Sequence, residues 1–498
     1  TDLSDKSNTL MMLIVKLVVP DVIPARYILA ILGSIAMAIV YGLKVNLSVA
    51  MVGMLNHTAL KKATPDKLTG EPECADFGDQ ESGVESDGPF VWGGDVQGLI
   101  LSCYFWGYFV SQIPGGRVAE LFSAKWVMFF SVTINVVCTL LTPPMAKLHY
   151  AAVIVMRIGE GIGGGVTFPA MHVLLSKWAP PAERSVMAAV VYAGTSLGTV
   201  ISMLMAGGLT VAAGWASVFY VMGGLSCIWC VLWVFLVQDS PQQQRIITQE
   251  ERDMIVESLG NTEESSKKMP VPWKSVFTSA PFLAILVAHT CSNWGWYMLL
   301  IELPFYMKQV LKFNMAQNTV TTAMPFLSLW LFSIILSKTL DTLREKGKIS
   351  TTVARKIGTL FASVVPAVCM LSLCFVGCSR AAAVALMAIA VTSIGGMFCG
   401  FLSNHIDIAP NFAGTLMAIT NTVATIPGII VPIFVGHITD GNQTISAWRI
   451  IFFVTIGLYV IEIVVYTLYG SGEQQPWNNV TEESQERNDS KRLKADVD

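Results

Sequence analysis

The sequence predicts an all-α integral membrane protein with twelve transmembrane helices in two six-helix bundles. Three observations predict it. Apolar runs of about 20 residues recur along the chain, each long enough at ~1.5 Å per residue to cross ~30 Å of hydrocarbon. The composition is 53% hydrophobic and 13% charged, whereas a soluble chain is about a quarter charged. A polar segment, residues 238–280, separates the first six runs from the last six.

The runs fall near 27–53, 96–115, 126–146, 150–175, 186–211 and 216–237, then 281–303, 320–337, 355–377, 381–402, 411–436 and 448–470. They define an N-terminal bundle over 27–237, with a long loop at 55–92, and a C-terminal bundle over 281–470. Residues 1–26 read as an interfacial lead-in, because the apolar stretch at 10–20 is broken by Lys16 and is too short to span. In the linker, Thr248 and Glu251 form a capping box that opens a short helix ending at Gly260. Residues 471–498 are polar and charged and need no fold.

Basic residues set the expected orientation. With both termini cytoplasmic, 22 Lys and Arg fall on the inner side and eight on the outer, as the positive-inside rule requires. The sequons at Asn56 and Asn442 then lie in exterior loops and are expected to carry glycans, while those at Asn479 and Asn488 stay cytoplasmic. Eight of the ten cysteines sit inside apolar runs, where Cys packs as a small hydrophobe. Only Cys74 and Cys378 fall in exterior loops, where the two could pair.

A net charge of −3 gives no case for a nucleic-acid partner. A membrane-embedded enzyme would need a nucleophile–base or metal constellation, and the sequence has no HExxH and no paired intramembrane acids. Six spans, a polar linker and six more spans is instead the layout of a two-bundle secondary transporter working by alternating access. A channel would pass its ion without concentrating it.

Ionisable residues inside a span cost roughly 2.5–3.5 kcal/mol each at the bilayer centre. Those that remain are the first candidates for function. The first ten runs hold three deep ones, Lys44, Arg157 and Glu160. Counting ~1.5 Å per residue from the ends of their runs puts all three at a similar depth. Arg157 and Glu160 share a helix face at i,i+3, so the carboxylate partly neutralises the guanidinium. Lys44 leaves a surplus positive charge, suited to an anion. The alternative is a packing pair, with Lys44 snorkelling outward. Gly159, Gly161, Gly163, Gly164 and Gly165 crowd the same run and permit close helix contact.

His289, Asn293, Trp294 and Tyr297 fall on one stripe of the seventh run, and Asn421 and Thr422 on the eleventh. They are candidate cavity walls and candidate substrate contacts, or simply packing residues. Gly116-Arg117-x-Ala119-Glu120 with Lys125, between the second and third runs, resembles a degraded form of a transporter loop signature, and Arg117, Glu120 and Lys125 read on that resemblance as a conformational latch between the bundles.

Several segments together resemble the anion:cation symporter family of the major facilitator superfamily. They are Arg157-Ile-Gly-Glu160-Gly-Ile-Gly-Gly-Gly-Val-Thr-Phe-Pro-Ala-Met-His172, its continuation Lys177-Trp-Ala-Pro-Pro-Ala-Glu-Arg-Ser185, Tyr41-Gly-Leu-Lys-Val-Asn-Leu-Ser-Val-Ala50, Gln112-Ile-Pro-Gly-Gly116 and Asn404-His-Ile-Asp-Ile-Ala-Pro410. The likeness covers about residues 24–477. That family holds sodium/phosphate cotransporters, sialic-acid transporters and vesicular glutamate transporters, and residues 23–58 look most like its invertebrate phosphate cotransporters.

The resemblance implies the major facilitator fold. It implies that Lys44 is the helix-1 cation and that Arg157 is the helix-4 arginine that meets the substrate anion. Glu160 matches a helix-4 acidic position and is expected to couple the cation. Gly164 stands where many members carry a second glutamate associated with proton coupling. Ser292 and Leu101 replace an arginine and a histidine of glutamate transporters, which argues against that branch. The leading expectation is sodium-coupled symport of inorganic phosphate by a monomer in the plasma membrane. The alternative is proton-coupled transport of an organic anion, such as sialic acid or an acidic amino acid, in lysosomal or vesicular membranes. No cofactor is expected beyond the coupling ion, sodium or proton.

Overall fold

A computed structural model describes residues 24–56, 59, 88–259, 271–302, 306, 315–439 and 444–478. Most of the 55–92 loop, Cys74, Asn442, Asn479, Asn488, the lead-in before residue 24 and the tail after 478 lie outside the described residues.

Twelve helical stretches account for the predicted spans. They are α1 (Ala25–Met54), α2 (Gly94–Leu121), α3 (Ala124–Leu148), α4 (Tyr150–Trp178), α5 (Arg184–Ala213), α6 (Trp215–Leu236), α7 (Ala280–Tyr297), α8 (Met315–Glu345), α9 (Thr351–Val376), α10 (Arg380–Ile394, Gly396–Cys399 and Phe401–Ile408), α11 (Ala413–Thr439) and α12 (Ile445–Tyr469). Among the described residues, ten stretches are long and apolar enough to cross a membrane on length and composition alone. The two below that bar are α2 and α7, which carry Tyr104, Tyr108, Gln112, His289 and Asn293. Helices that line a polar cavity cannot be apolar all round.

Within the first bundle, α1 packs on α5, and α2 and α3 pack on α4; in the second, α7 packs on α11 and α12, and α9 on α10 and α12. The bundles meet where α5 packs on α8 and where α2 and α4 pack on α11. Large apolar side chains such as Val110, Phe122, Val211, Phe375 and Ile433 stay exposed on the outer surface. That is the pattern of a protein whose outer solvent is lipid.

The glycines of α4 are placed for contact. A Cβ on Gly161 would run into the backbone carbonyl of Tyr104, and one on Gly164 into the Tyr104 hydroxyl. Backbone therefore lies on backbone where α2 crosses α4, as small residues allow. The Tyr104 phenol also fills the space a longer side chain at position 164 would need.

The linker forms a helix, Gln249–Leu259, whose start is capped by Thr248 Oγ1 accepting from Glu251 N at 3.3 Å. The Glu251 carboxylate does not close the predicted capping box. It accepts instead from the backbone N–H groups of Ala25 at 2.9 Å and Arg26 at 3.2 Å, so the linker caps the orphan donors at the start of α1. The side of the molecule carrying this helix is termed the linker face below. The eight cysteines placed in apolar runs are free, and Cys378 is disulfide-bonded.

Candidate functional site

The structure brings together the three deep charges read from the sequence. Arg157 Nη1 donates to Glu160 Oε2 at 2.5 Å, and Arg157 Nη2 donates to the backbone carbonyl of Lys44 at 3.0 Å. Glu160 Oε1 accepts from Thr139 Oγ1 at 2.7 Å, which ties the pair to α3. Both members of the pair are buried.

The Lys44 ammonium makes no ion pair among the described residues. It sits over aromatic rings instead: Phe105 at 4.6 Å, Tyr41 and Tyr104 at 5.2 Å, Tyr108 at 5.8 Å and Tyr297 at 6.0 Å. A cation over a ring gains roughly 0.5–2 kcal/mol, the upper end when desolvated. The rings hold the charge in place and leave its sign uncancelled.

Three of those tyrosines, Tyr41, Tyr108 and Tyr297, also line a cavity between the bundles, together with Phe168, Thr195, His289, Asn293, Trp296, Phe398 and Asn421. Four of the predicted contacts therefore do face one cavity: His289, Asn293, Tyr297 and Asn421. Neither Lys44 nor Arg157 lines it: Lys44 sits over its Tyr41, Tyr108 and Tyr297 rings, and Arg157 lies one ring further off, over Tyr104 at 5.2 Å. Asn421 Nδ2 donates to Tyr108 Oη at 2.9 Å across the bundle interface, and Asn293 Nδ2 donates to the Ala424 carbonyl at 2.9 Å.

Two of the predicted wall residues do not contribute. Trp294 turns away, donating from Nε1 to Thr455 Oγ1 of α12 at 3.2 Å and packing on Phe434, because the α7 stripe is wider than the cavity. The Thr422 hydroxyl donates back to the Ala418 carbonyl of its own helix.

Below the cavity, toward the linker face, the two bundles are tied by the hydrogen bonds and ion pairs of buried carboxylates. Glu120 accepts from Thr415 N and from Thr415 Oγ1, both at 2.6 Å, and pairs with Arg117 at 2.9 Å. A carboxylate of the first bundle thus caps the N-terminus of α11 in the second, where the helix dipole favours an anion. Lys125 corrects the expected latch. Its Nζ donates to Gln238 and its backbone N–H to Asp239, at the start of the linker just past the end of α6, because α3 begins beside that end, so it makes no tie to the second bundle through these contacts.

Sequence reasoning missed the larger tie. Asp407 of α10 accepts from Arg184 of α5 at 3.0 Å and from Arg355 of α9 at 2.5 Å. Arg355 Nη1 also donates to Ser185 Oγ at 2.6 Å, and Asp341 accepts from the Val186 N–H at 2.8 Å. The signal was present in Arg184-Ser185 and in the Asp407 motif, but these charges sit at helix ends, where they read as interfacial.

A further acid, Glu462 of α12, outside the first ten runs, is fully buried, with neither carboxyl oxygen hydrogen-bonded among the described residues. It lies on the side of α12 that carries Tyr459, whose hydroxyl abuts Gly295 of α7.

Comparison with known proteins agrees with this architecture. Residues 28–432 match the Major Facilitator Superfamily. Human "Sialin" is 41% identical over 457 residues, covering 91% of this chain and 90% of that protein. A Drosophila melanogaster "Putative inorganic phosphate cotransporter" is 37% identical over 468 residues, with 92% and 87% covered. Human "Vesicular glutamate transporter 2" is 35% identical over 470 residues, with 93% and 77% covered. The solved proton:xylose symporter XylE superposes with a TM-score of 0.66 over 90% of this chain and 97% of that one, at 12% identity, and so shares the fold. The chain is accordingly a multi-pass secondary transporter of the major facilitator superfamily, and within it belongs to the anion:cation symporter family.

Proposed function

We propose that the protein carries a small organic carboxylate anion in symport with protons, with the linker face cytoplasmic. The observation that carries this reading is the Lys44 ammonium, framed by five rings, without an anion of its own among the described residues. The carboxylate of the substrate is drawn to Lys44 and to the fork of Arg157. Its body lies against Tyr41, Tyr108, Phe168, Trp296 and Tyr297, an aromatic lining that suits a carbon skeleton better than a bare oxyanion. Asn293 and Asn421 supply neutral polar contacts for hydroxyl or amide groups of the anion.

Glu160 is the acid placed to couple the cation. It shares Arg157 with the arriving anion, so anion binding weakens its ion pair and readies it for a proton. The proton reading also draws on the kinship with sialin. Sodium-coupled phosphate symport remains the second reading, favoured by the phosphate-cotransporter relative and by the match of a divalent oxyanion to a bidentate Arg with a nearby Lys.

Ligand binding to purified protein separates these readings. Tryptophan fluorescence should change on titration with sialate or an acidic amino acid, and Lys44→Ala should shift that titration to higher concentration. Saturable binding of phosphate alone, unaffected by the carboxylates, would overturn the first reading in favour of the second.

A further inference from the structure

Three histidines from three helices meet just below the cavity. His172 comes from α4 of the first bundle, and His289 and His405 come from α7 and α10 of the second. All three are buried. The His172 and His405 rings meet edge to face at 5.6 Å, and those of His289 and His405 lie 6.2 Å apart.

The partners of each nitrogen fix much of the proton count, because a carbonyl oxygen can only accept. The Leu402 carbonyl lies 3.0 Å from His172 Nε2 and 3.0 Å from His405 Nδ1, so both nitrogens carry hydrogen. The His172 Nδ1 faces two partners, the Phe168 carbonyl at 3.1 Å and the Tyr192 hydroxyl. Neutral His172 accepts from Tyr192; protonated His172 donates to Phe168. Both states have a ready partner.

The other two rings share one hydroxyl. Thr420 Oγ1 lies 3.1 Å from His289 Nδ1 and 2.8 Å from His405 Nε2. With His405 already donating from Nδ1, its Nε2 accepts the Thr420 hydrogen, and the Thr420 oxygen accepts from His289 Nδ1. This is an unbroken donor–acceptor chain that starts at a residue lining the cavity.

We propose that these histidines form a proton-binding site of the transport cycle, filled from the cavity through His289 and Thr420. The inference rests on the proton-coupled reading above and adds to it a second site, distinct from Glu160. A proton taken up at His289 Nε2 releases the Nδ1 proton to Thr420 Oγ1. Thr420 passes its own hydrogen to His405 Nε2, leaving a neutral His289, an intact hydroxyl and one imidazolium at His405.

That charge is placed to act on the bundle interface. The titratable and charged groups around His405 are the His172 ring from α4 and the His289 ring from α7, with Tyr192 of α5 reached through His172, and Asp407 two residues along α10, which holds Arg184 of α5 and Arg355 of α9. Asp407 is the carboxylate that bridges the bundles through Arg184 and Arg355. An imidazolium at His405 adds a third positive charge near this cluster, whose single carboxylate already serves both arginines. Proton loading thereby loosens the tie that closes the linker face.

The test uses the full chain in proteoliposomes, with labelled sialate as the probe and a pH dye reporting proton entry. Thr420→Val removes the shared hydroxyl at nearly constant shape. His405→Asn keeps a donor for the Leu402 carbonyl and removes the titrating nitrogen. Both variants should retain sialate counterflow, which needs no gradient, and lose proton entry and pH-driven accumulation. If the parent accumulates on a pH gradient and both variants accumulate equally, the histidine site is overturned while the transport reading stands. If the parent accumulates only on a sodium gradient and no protons enter, both are overturned.

Discussion

Arg157 donates a hydrogen bond to the main-chain carbonyl of Lys44 at 3.0 Å, so the two deep cations of the first bundle are joined through backbone rather than held apart by an acid between them. The fork of one guanidinium reaches Glu160 with one nitrogen and α1 with the other. Lysine is a point charge and cannot make both contacts.

Arg157→Lys should therefore reach the membrane and lose most transport. Hydrogen bonds to charged groups are worth roughly 1.5–3 kcal/mol each, or about one to two orders of magnitude in affinity. Lys44→Ala should weaken anion affinity with less effect on maximal rate. Initial uptake rates over a range of substrate concentrations separate the two effects, and near-normal uptake by Arg157→Ala would remove Arg157 from the anion site.

The Asp407 tie predicts a conformational phenotype. Removing one partner of a buried ion pair leaves the other uncompensated, at a cost of roughly 3–5 kcal/mol. Asp407→Asn strands both Arg184 and Arg355 and should shift the protein toward a linker face that is open. In a background lacking the other cysteines, the buried Cys399 should become faster to label from that face. Unchanged labelling would show that the pairs pack the interface without holding it shut.

The contact between α1 and the α4–α5 loop predicts a pH effect. Burial raises the Glu183 carboxyl, but the hydrogen bonds and charge of Arg26 and the hydroxyl of Tyr27 outweigh it and hold the group below the usual carboxylate range. A depressed value in the folded state stabilises above the unfolded value, and that contribution is lost as pH falls through the folded one. Parent protein should exceed Glu183→Gln in thermal stability at neutral pH. The two should converge as pH drops below about 4, where an ordinary carboxylate protonates. Equal melting temperatures across the whole range would mean that the pair contributes nothing.

Orientation is tested by glycosylation. Asn56 and Asn442 should be modified, and Asn479 and Asn488 should not. The mass lost on glycosidase treatment should vanish when the first two are substituted. A residual shift that depends on Asn479 would invert the topology.

Much of this was legible in the sequence, and the reason lies in the solvent. Lys44, Arg157 and Glu160 interrupt apolar runs, where a charge is costly enough to stand out, and the three meet in space. The predicted spans differ from the helices by a few residues at most ends. The exceptions are α2, predicted to end at 115 and running to Leu121, α8, predicted at 320–337 and spanning Met315–Glu345, and α10, predicted at 381–402, which breaks at Gly395 and Gly400 and continues to Ile408. The histidine cluster was not legible. His289 reads as a candidate cavity wall, but nothing in the sequence ties it to His172 or His405, and only the packing of α4 and α7 on α10 and α11 brings the three together. Asp407 lay hidden because polar residues at the end of an apolar run read as interfacial. Glu462 lay beyond the ten spans in which charges were counted.

In the proposed cycle protons drive the anion through Glu160, and gradient-driven uptake into proteoliposomes reads that coupling out. Proton and sodium gradients are imposed separately on parent protein and on Glu160→Gln, which keeps the shape and deletes the charge. The parent should concentrate labelled sialate on an inward proton gradient without sodium, while Glu160→Gln exchanges substrate but does not concentrate it. Accumulation by the parent that requires sodium and ignores the proton gradient, or accumulation by Glu160→Gln that matches the parent, would rule out proton coupling through Glu160.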